Sequence, residues 1–128
     1  MCHAVTDAVL GAAALGDIGR FFPDSDAAWK DADSLELLRR AMDAVRKAGY
    51  TVVNVDATII AEQPNLLPYV DAMRANLASA LAIDASAVSI KGKTNEHVGE
   101  IGRGEAMACH AIALLAKSDR AWKLPPCE

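Results

Sequence analysis

The chain has 128 residues, 52% of them hydrophobic but only 5% aromatic. That length supports one domain with a single core, burying roughly two thirds of the unfolded surface, and the abundance of Ala, Val, Leu and Ile implies close packing. The formal net charge of -4, with no Lys/Arg stripe, argues against nucleic acid or an anionic membrane as partner and leaves small molecules or further copies of the chain.

Residues 3–15 are dense in Ala, Val and Leu, with polar breaks only at His3, Thr6, Asp7 and Gly11, and predict a largely buried helix. Its first turn coincides with Met1, so it lacks a preceding cap. His3 and Asp7 stand at i and i+4, where the acid is able to orient the imidazole behind a metal. The competing reading, a frayed terminal His beside an incidental acid, is the one that spacing alone favours.

Residues 16–26 carry two glycines, a proline, an aromatic pair and the acids Asp17, Asp24 and Asp26, and are expected to be neither helix nor strand. Gly16 suits the C′ position of the preceding helix, Pro23 disfavours the α region at Phe22, and Asp24 and Asp26 favour turns. An ordered loop follows. Its charges suggest hydroxyl or metal-phosphate contacts, against the alternative of a solvated turn plugged by Phe.

Asp33 with Glu36 three residues on forms a capping pair, and Leu35, Leu38, Met42 and Val45 make a helical stripe that Gly49 ends. Residues 50–61 are β-branched and alternating, which predicts a strand with Val53, Val55, Ala57 and Ile59 on one face and Val52, Asn54, Asp56, Thr58 and Ile60 on the other. Glu62, Gln63, Pro64 and Asn65 break it. Pro68 is tolerated at a helix start, and Val70, Met73, Leu77 and Leu81 supply the next stripe before a turn at 83–87. Residues 88–93 alternate again.

Strand, helix and strand over 50–93 constitute a βαβ unit with parallel pairing and a right-handed crossover. Ligands of such units sit beyond the carboxyl ends of the strands, here at 61–67 and 94–104. The second of these loops has three glycines with a hydroxyl, acids and Arg103 beside them, although a Gly-rich loop alone is weak evidence. Residues 107–115 are ambiguous, helical by alanine content but suited by length and position to a last strand. From Lys117 onward, with Trp122 and Pro125-Pro126, the chain reads as a tail.

Cys2, Cys109 and Cys127 show no metal-binding or redox spacing, and their odd number argues against a disulfide framework, which fits a reducing cytoplasm. No apolar run reaches membrane-spanning length, and the first residues lack a basic region followed by a cleavage site.

Four separated motifs then combine. His3-Ala4 with Thr6-Asp7-Ala8, Gly16-Asp17-Ile18-Gly19 with Phe22-Pro23-Asp24-Ser25-Asp26, Asn54-Val55-Asp56-Ala57-Thr58-Ile59, and Lys93-Thr94-Asn95-Glu96 with Gly102-Arg103-Gly104-Glu105 resemble the 2-C-methyl-D-erythritol 2,4-cyclodiphosphate synthase family in order and spacing. The resemblance covers residues 3 to about 117. It implies an α/β subunit, a mixed sheet with helices packed on one face, assembled as a homotrimer with active sites between subunits. It also makes 107–115 a strand, against propensity. The implied reaction belongs to non-mevalonate isoprenoid synthesis: 4-diphosphocytidyl-2-C-methyl-D-erythritol 2-phosphate cyclises with release of CMP.

By position, the resemblance makes His3 one of three protein ligands of a catalytic zinc or another divalent metal. Asp17, Ile18 and Gly19 correspond to ribose contacts, and Phe22, Pro23, Asp24, Ser25 and Asp26 to the loop over the methylerythritol phosphate. Ala61, Glu62, Gln63, Pro64, Asn65, Leu66 and Leu67 correspond to the segment whose backbone reads cytosine. Lys93 and Asn95 flank Thr94, the transition-state-stabilising hydroxyl, and Glu96 corresponds to the acid holding magnesium or manganese between the two diphosphate phosphates. Arg103 is read either as a phosphate ligand or as the ion-pair partner of Glu105.

Two departures stand out. The family's opening strand and hairpin, with an Asp-x-His zinc pair and a His-Ser loop, have no counterpart, so the chain looks like a member without its first several tens of residues. Glu100 replaces the aromatic residue that commonly lines the trimer's central cavity. The rivals to a working synthase are therefore a non-catalytic trimer that keeps a cytidine-nucleotide pocket, and a misfolded or partner-dependent fragment with an exposed sheet edge and apolar helix surface.

Overall fold

The structure is a computed structural model describing residues 1–118. The predicted tail beyond Ser118, including Trp122, lies outside the described residues. Helix α1 spans Cys2–Ala12, a single-turn α2 Ile18–Phe21, and α3 Ser34–Lys47. Strand β1 runs Tyr50–Ile60, α4 Val70–Leu81, β2 Val88–Lys93, the single-turn α5 Gly99–Gly102, and β3 Ala108–Lys117.

The sheet has the order β2-β1-β3. β1 pairs with β2 in parallel, as the βαβ reading requires, and with β3 antiparallel. One face is covered by helices, with Val5, Val9 and Leu10 of α1, Leu38, Met42 and Val45 of α3, and Leu77 and Leu81 of α4 packed in one cluster with Val52, Val55 and Val88 of the sheet. Burying each of the larger aliphatic side chains contributes about 1.5–3 kcal/mol. β3 turns Ala111, Ala113 and Leu115 toward this cluster and leaves Ile112 and Leu114 exposed. The small alanines let α1 lie close against β3, which explains a strand where propensity favours helix.

The capping reading holds at α3: Asp33 Oδ1 accepts the Leu35 N–H at 2.8 Å. Glu36, however, turns to Arg40 Nε at 3.2 Å. Elsewhere the structure corrects four expectations. Helix α1 ends before Gly16: Ala14 takes the left-handed conformation at φ 57°, and Ala14 and Leu15 N–H groups return to Gly11 and Leu10 carbonyls at 2.9 Å. This closure satisfies the terminal carbonyls, so Gly16 is not needed as the C′ residue. The 16–26 stretch is not free of helix, because Asp17 caps α2 inside it.

The third correction is Val53, which is 44% exposed while Val52 is 8% exposed. The pairing with β3 slips between Val52 and Asn54, a bulge that lets Val52 and Val55 both face the core and turns Val53 out of the predicted face. The last correction concerns Lys117, which belongs to β3 opposite Tyr50 rather than to the tail.

Candidate functional site

Parallel pairing brings the carboxyl ends of β1 and β2 side by side, and the Ala61 N–H donates to the Lys93 carbonyl at 2.9 Å just beyond them. There the two loops part around a cleft of about 690 Å³, lined by residues 61–67 with Lys93 and Thr94, as well as Val70, Ile90 and Gly92. The last three were not foreseen. Val70 reads as part of an apolar helix stripe, whereas Ile90 and Gly92 share the period-2 face that ends at Thr94, a signal that was available. A Cβ on Gly92 would meet Leu66 at 3.8 Å, so the glycine makes room at the cleft floor without being required by contact.

Glu62 lies at the junction, with its side chain only 12% exposed. Oε1 is 2.9 Å from His97 Nδ1, and Oε2 accepts the Asn95 N–H at 3.2 Å. Asn95 Nδ2 donates to the Val98 carbonyl at 2.7 Å, closing the turn that carries Glu96. Glu96 and His97 both adopt positive φ, 51° and 62°, a region that costs an L-residue about 1–2 kcal/mol. The Thr94 hydroxyl donates to Glu96 Oε1 at 3.0 Å. Thr94, Asn95 and Glu96 are all exposed, and of the three Thr94 lines the cleft.

The 16–26 loop is built separately. Asp7 accepts the Ile18 N–H at 2.8 Å, and Asp17 the Arg20 N–H at 2.9 Å. Phe22 is buried and meets Trp29 edge-on at 5.0 Å, with the Arg40 guanidinium 5.3 Å from the Trp29 ring centre. Asp26 caps a short 3-10 turn by accepting the Ala28 N–H at 2.9 Å. Asp24 and Ser25, with Ala27, Trp29, Lys30 and Asp31, line a smaller groove of about 450 Å³. Pro23 and Gly19 are exposed on the same segment.

His3 and Asp7 do not pair as their spacing allows: Asp7 holds Ile18, and His3 Nε2 lies 3.3 Å from Ser34 Oγ. Among the described residues no group of three or more His, Cys, Asp or Glu side chains is placed to hold a metal ion. The donors present therefore do not fit a three-ligand zinc centre. Arg103 grips Glu105 with two bonds, Nε to Oε1 at 2.8 Å and Nη2 to Oε2 at 3.1 Å, which pushes the guanidinium pKa up further. His3, residues 17–26, Asn95, Glu96 and Arg103 do not line the cleft.

Fold and site together define an α/β domain with a ligand cleft beyond two parallel strands. The YgbB family model matches residues 1–116, and the chain belongs to the YgbB family. Proteins named 2-C-methyl-D-erythritol 2,4-cyclodiphosphate synthase from Chromobacterium violaceum and Aromatoleum aromaticum are 58% and 60% identical, over 92% and 91% of this chain. The chain spans 75% and 71% of their respective lengths. Among solved structures, the bifunctional IspDF from Campylobacter jejuni superposes with a TM-score of 0.90 at 41% identity, covering 94% of this chain and 33% of that one. The CDP complex of Plasmodium falciparum IspF superposes with a TM-score of 0.80 at 35% identity, covering 92% and 70%.

Proposed function

We propose that the chain acts as a 2-C-methyl-D-erythritol 2,4-cyclodiphosphate synthase subunit, cyclising 4-diphosphocytidyl-2-C-methyl-D-erythritol 2-phosphate with release of CMP. The observation that carries this is the cleft in which residues 61–67 meet Lys93 and Thr94, in a chain closely related to proteins of that name. A relative with the same fold is described as a CDP complex, which suits a cleft with backbone amides on one side and a cation on the other.

In the reaction the substrate's 2-phosphate oxygen attacks the β-phosphorus, the bond from that phosphorus to the bridging oxygen breaks, and CMP departs with the electron pair. No side-chain nucleophile is needed, so the protein contributes positioning and charge neutralisation. Residues 61–67 hold the cytosine through their backbone, Lys93 offsets diphosphate charge, and Thr94 donates its hydroxyl to a phosphate oxygen. Asp17, Ile18 and Gly19 serve the ribose of a neighbouring subunit's nucleotide, residues 22–26 cover the methylerythritol phosphate, and Arg103 contacts phosphate.

An exposed carboxylate beside substrate phosphates fits magnesium or manganese, and Glu96 would hold it, supplying charge neutralisation between the phosphates. For zinc, His3 offers one donor, and the described residues do not complete the site. The active assembly in this reading is a cytoplasmic homotrimer that takes neither nucleic acid nor membrane as partner. Among the described residues no helix is long and apolar enough to cross a membrane.

The test combines CDP binding with CMP release, zinc and magnesium being supplied. CDP is expected to perturb the amides of residues 61–67, and the cytidylated substrate to yield CMP in the wild type but not in Glu96→Ala. Absence of both binding and release overturns the reading. Binding without release leaves the non-catalytic nucleotide-binding subunit in its place.

A further inference from the structure

We propose that Glu62 and His97 form a clamp that fixes the turn carrying Glu96, making Glu62 a positioning residue for the phosphate end of the cleft. What the turn does rests on the synthase reading above; the clamp itself rests on geometry. Glu62 stands two residues beyond the end of β1, whereas Asn95 and His97 follow β2. A single carboxylate thus ties together the two loops that frame the cleft.

Its two oxygens are divided between them, Oε1 to His97 Nδ1 at 2.9 Å and Oε2 to the Asn95 N–H at 3.2 Å. Hydrogen bonds to a carboxylate are stronger than neutral ones, and this one is shielded, being 12% exposed. The His97 ring is by contrast 86% exposed, so little else confines it on its outer side. Between the two attachment points sits Glu96, and it shares with His97 the left-handed backbone that L-residues rarely adopt. Two adjacent residues there persist only when their surroundings hold them.

The holders are identifiable. Asn95 closes the turn onto Val98, Gly102 leaves room for the His97 backbone, and Glu62 anchors both ends of the strained pair. Without Glu62 the pair is free to relax toward negative φ, which carries the Glu96 carboxylate away from the Thr94 hydroxyl it now meets at 3.0 Å. The side chain of Glu62 is therefore committed to the protein, and its part in nucleotide recognition falls to its backbone.

The experiment measures backbone amide exchange, and CDP affinity in magnesium and in EDTA, on the wild-type chain and on Glu62→Ala, Glu62→Gln and His97→Ala. In Glu62→Ala the Asn95 amide should exchange about tenfold faster, the equivalent of one net hydrogen bond. The magnesium-dependent gain in CDP affinity should vanish in Glu62→Ala and shrink in His97→Ala. His97 lies outside the cleft lining, so in His97→Ala the affinity in EDTA should stay within about twofold of wild type. Glu62→Gln, which keeps an acceptor for Asn95, should recover the Asn95 protection, and His97→Ala should fall between. Wild-type exchange at Asn95 in Glu62→Ala overturns the clamp. So does an equal loss of affinity in EDTA and in magnesium, which would make Glu62 a direct ligand. If the wild type binds no CDP, the synthase reading fails while Asn95 exchange still decides the clamp. If Glu62→Ala does not fold, His97→Ala, which removes an exposed ring, decides it by the same exchange: faster Asn95 exchange supports the clamp, and an unchanged rate overturns it.

Discussion

A methyl group on Gly102 would lie 2.2 Å from the carbonyl carbon of His97 and 2.7 Å from its Cα, both backbone atoms of the turn that presents Glu96. Gly102 is buried and its backbone is helical, so the requirement is one of space rather than of conformation. Gly102→Ala should therefore push the turn outward and cost about 1–3 kcal/mol, the usual range for overpacking. Urea unfolding measures this; a midpoint equal to that of the wild type would show that the turn moves freely. The three glycines of this loop are visible in the sequence, where they suggest close approach to a phosphate. For Gly102 the close approach is to the chain itself, a fact that depends on how the loop folds back. The Glu62 connection was hidden for the same reason: its partners lie 33 and 35 positions along the chain, joined to it only by the parallel pairing of β1 and β2.

At the scale of elements, that pairing carries one cross-strand ion pair on the face away from the helices, Lys91 Nζ to Asp56 Oδ2 at 2.6 Å. The hydrogen bond from Lys91, aided by Ser89, holds the Asp56 carboxyl below its ordinary value of 3.8. A depressed carboxylate stabilises the fold above the unfolded pKa, and that stability is lost as pH falls through the folded one. Asp56→Asn should thus cost at most about 1 kcal/mol near neutrality, since both side chains are roughly half exposed, and the difference from wild type should disappear in acid. Unfolding curves at several pH values decide it; a difference that persists in acid would assign the loss to packing. Much of the element order was readable: β1, β2 and α4 follow from alternation and apolar stripes, and their βαβ order pointed to 61–67 and 94–104, of which 61–67 and Thr94 line the cleft while 95–104 do not. What escaped depends on tertiary contact. Nothing in Val52-Val53-Asn54 marks a bulge, and the alanines of β3 become strand residues only because α1 packs on them, which the family resemblance supplied and propensity did not.

At the scale of the whole molecule the sheet has one face packed against helices and one bare. On the bare face Ile112 is 75% exposed and Leu114 56%, opposite Asp56 and Asn54 across the β1–β3 ladder. Adjacent exposed aliphatics on a sheet are costly in water and mark surfaces that associate. The proposed trimer needs such a surface, and the helical side, polar outward with Arg39, Arg40 and Arg46 paired to acids along α3, is poorly suited to it. Ile112→Lys should therefore dissociate the assembly, because every copy would bring an unpaired cation into a desolvated contact, at a cost of several kcal/mol each. Sedimentation velocity on the two proteins reads this directly: a trimeric wild type and a monomeric, folded Ile112→Lys are expected. Equal masses for both would move the interface elsewhere, and a monomeric wild type would remove the trimer, together with the shared site that the ribose and methylerythritol assignments require.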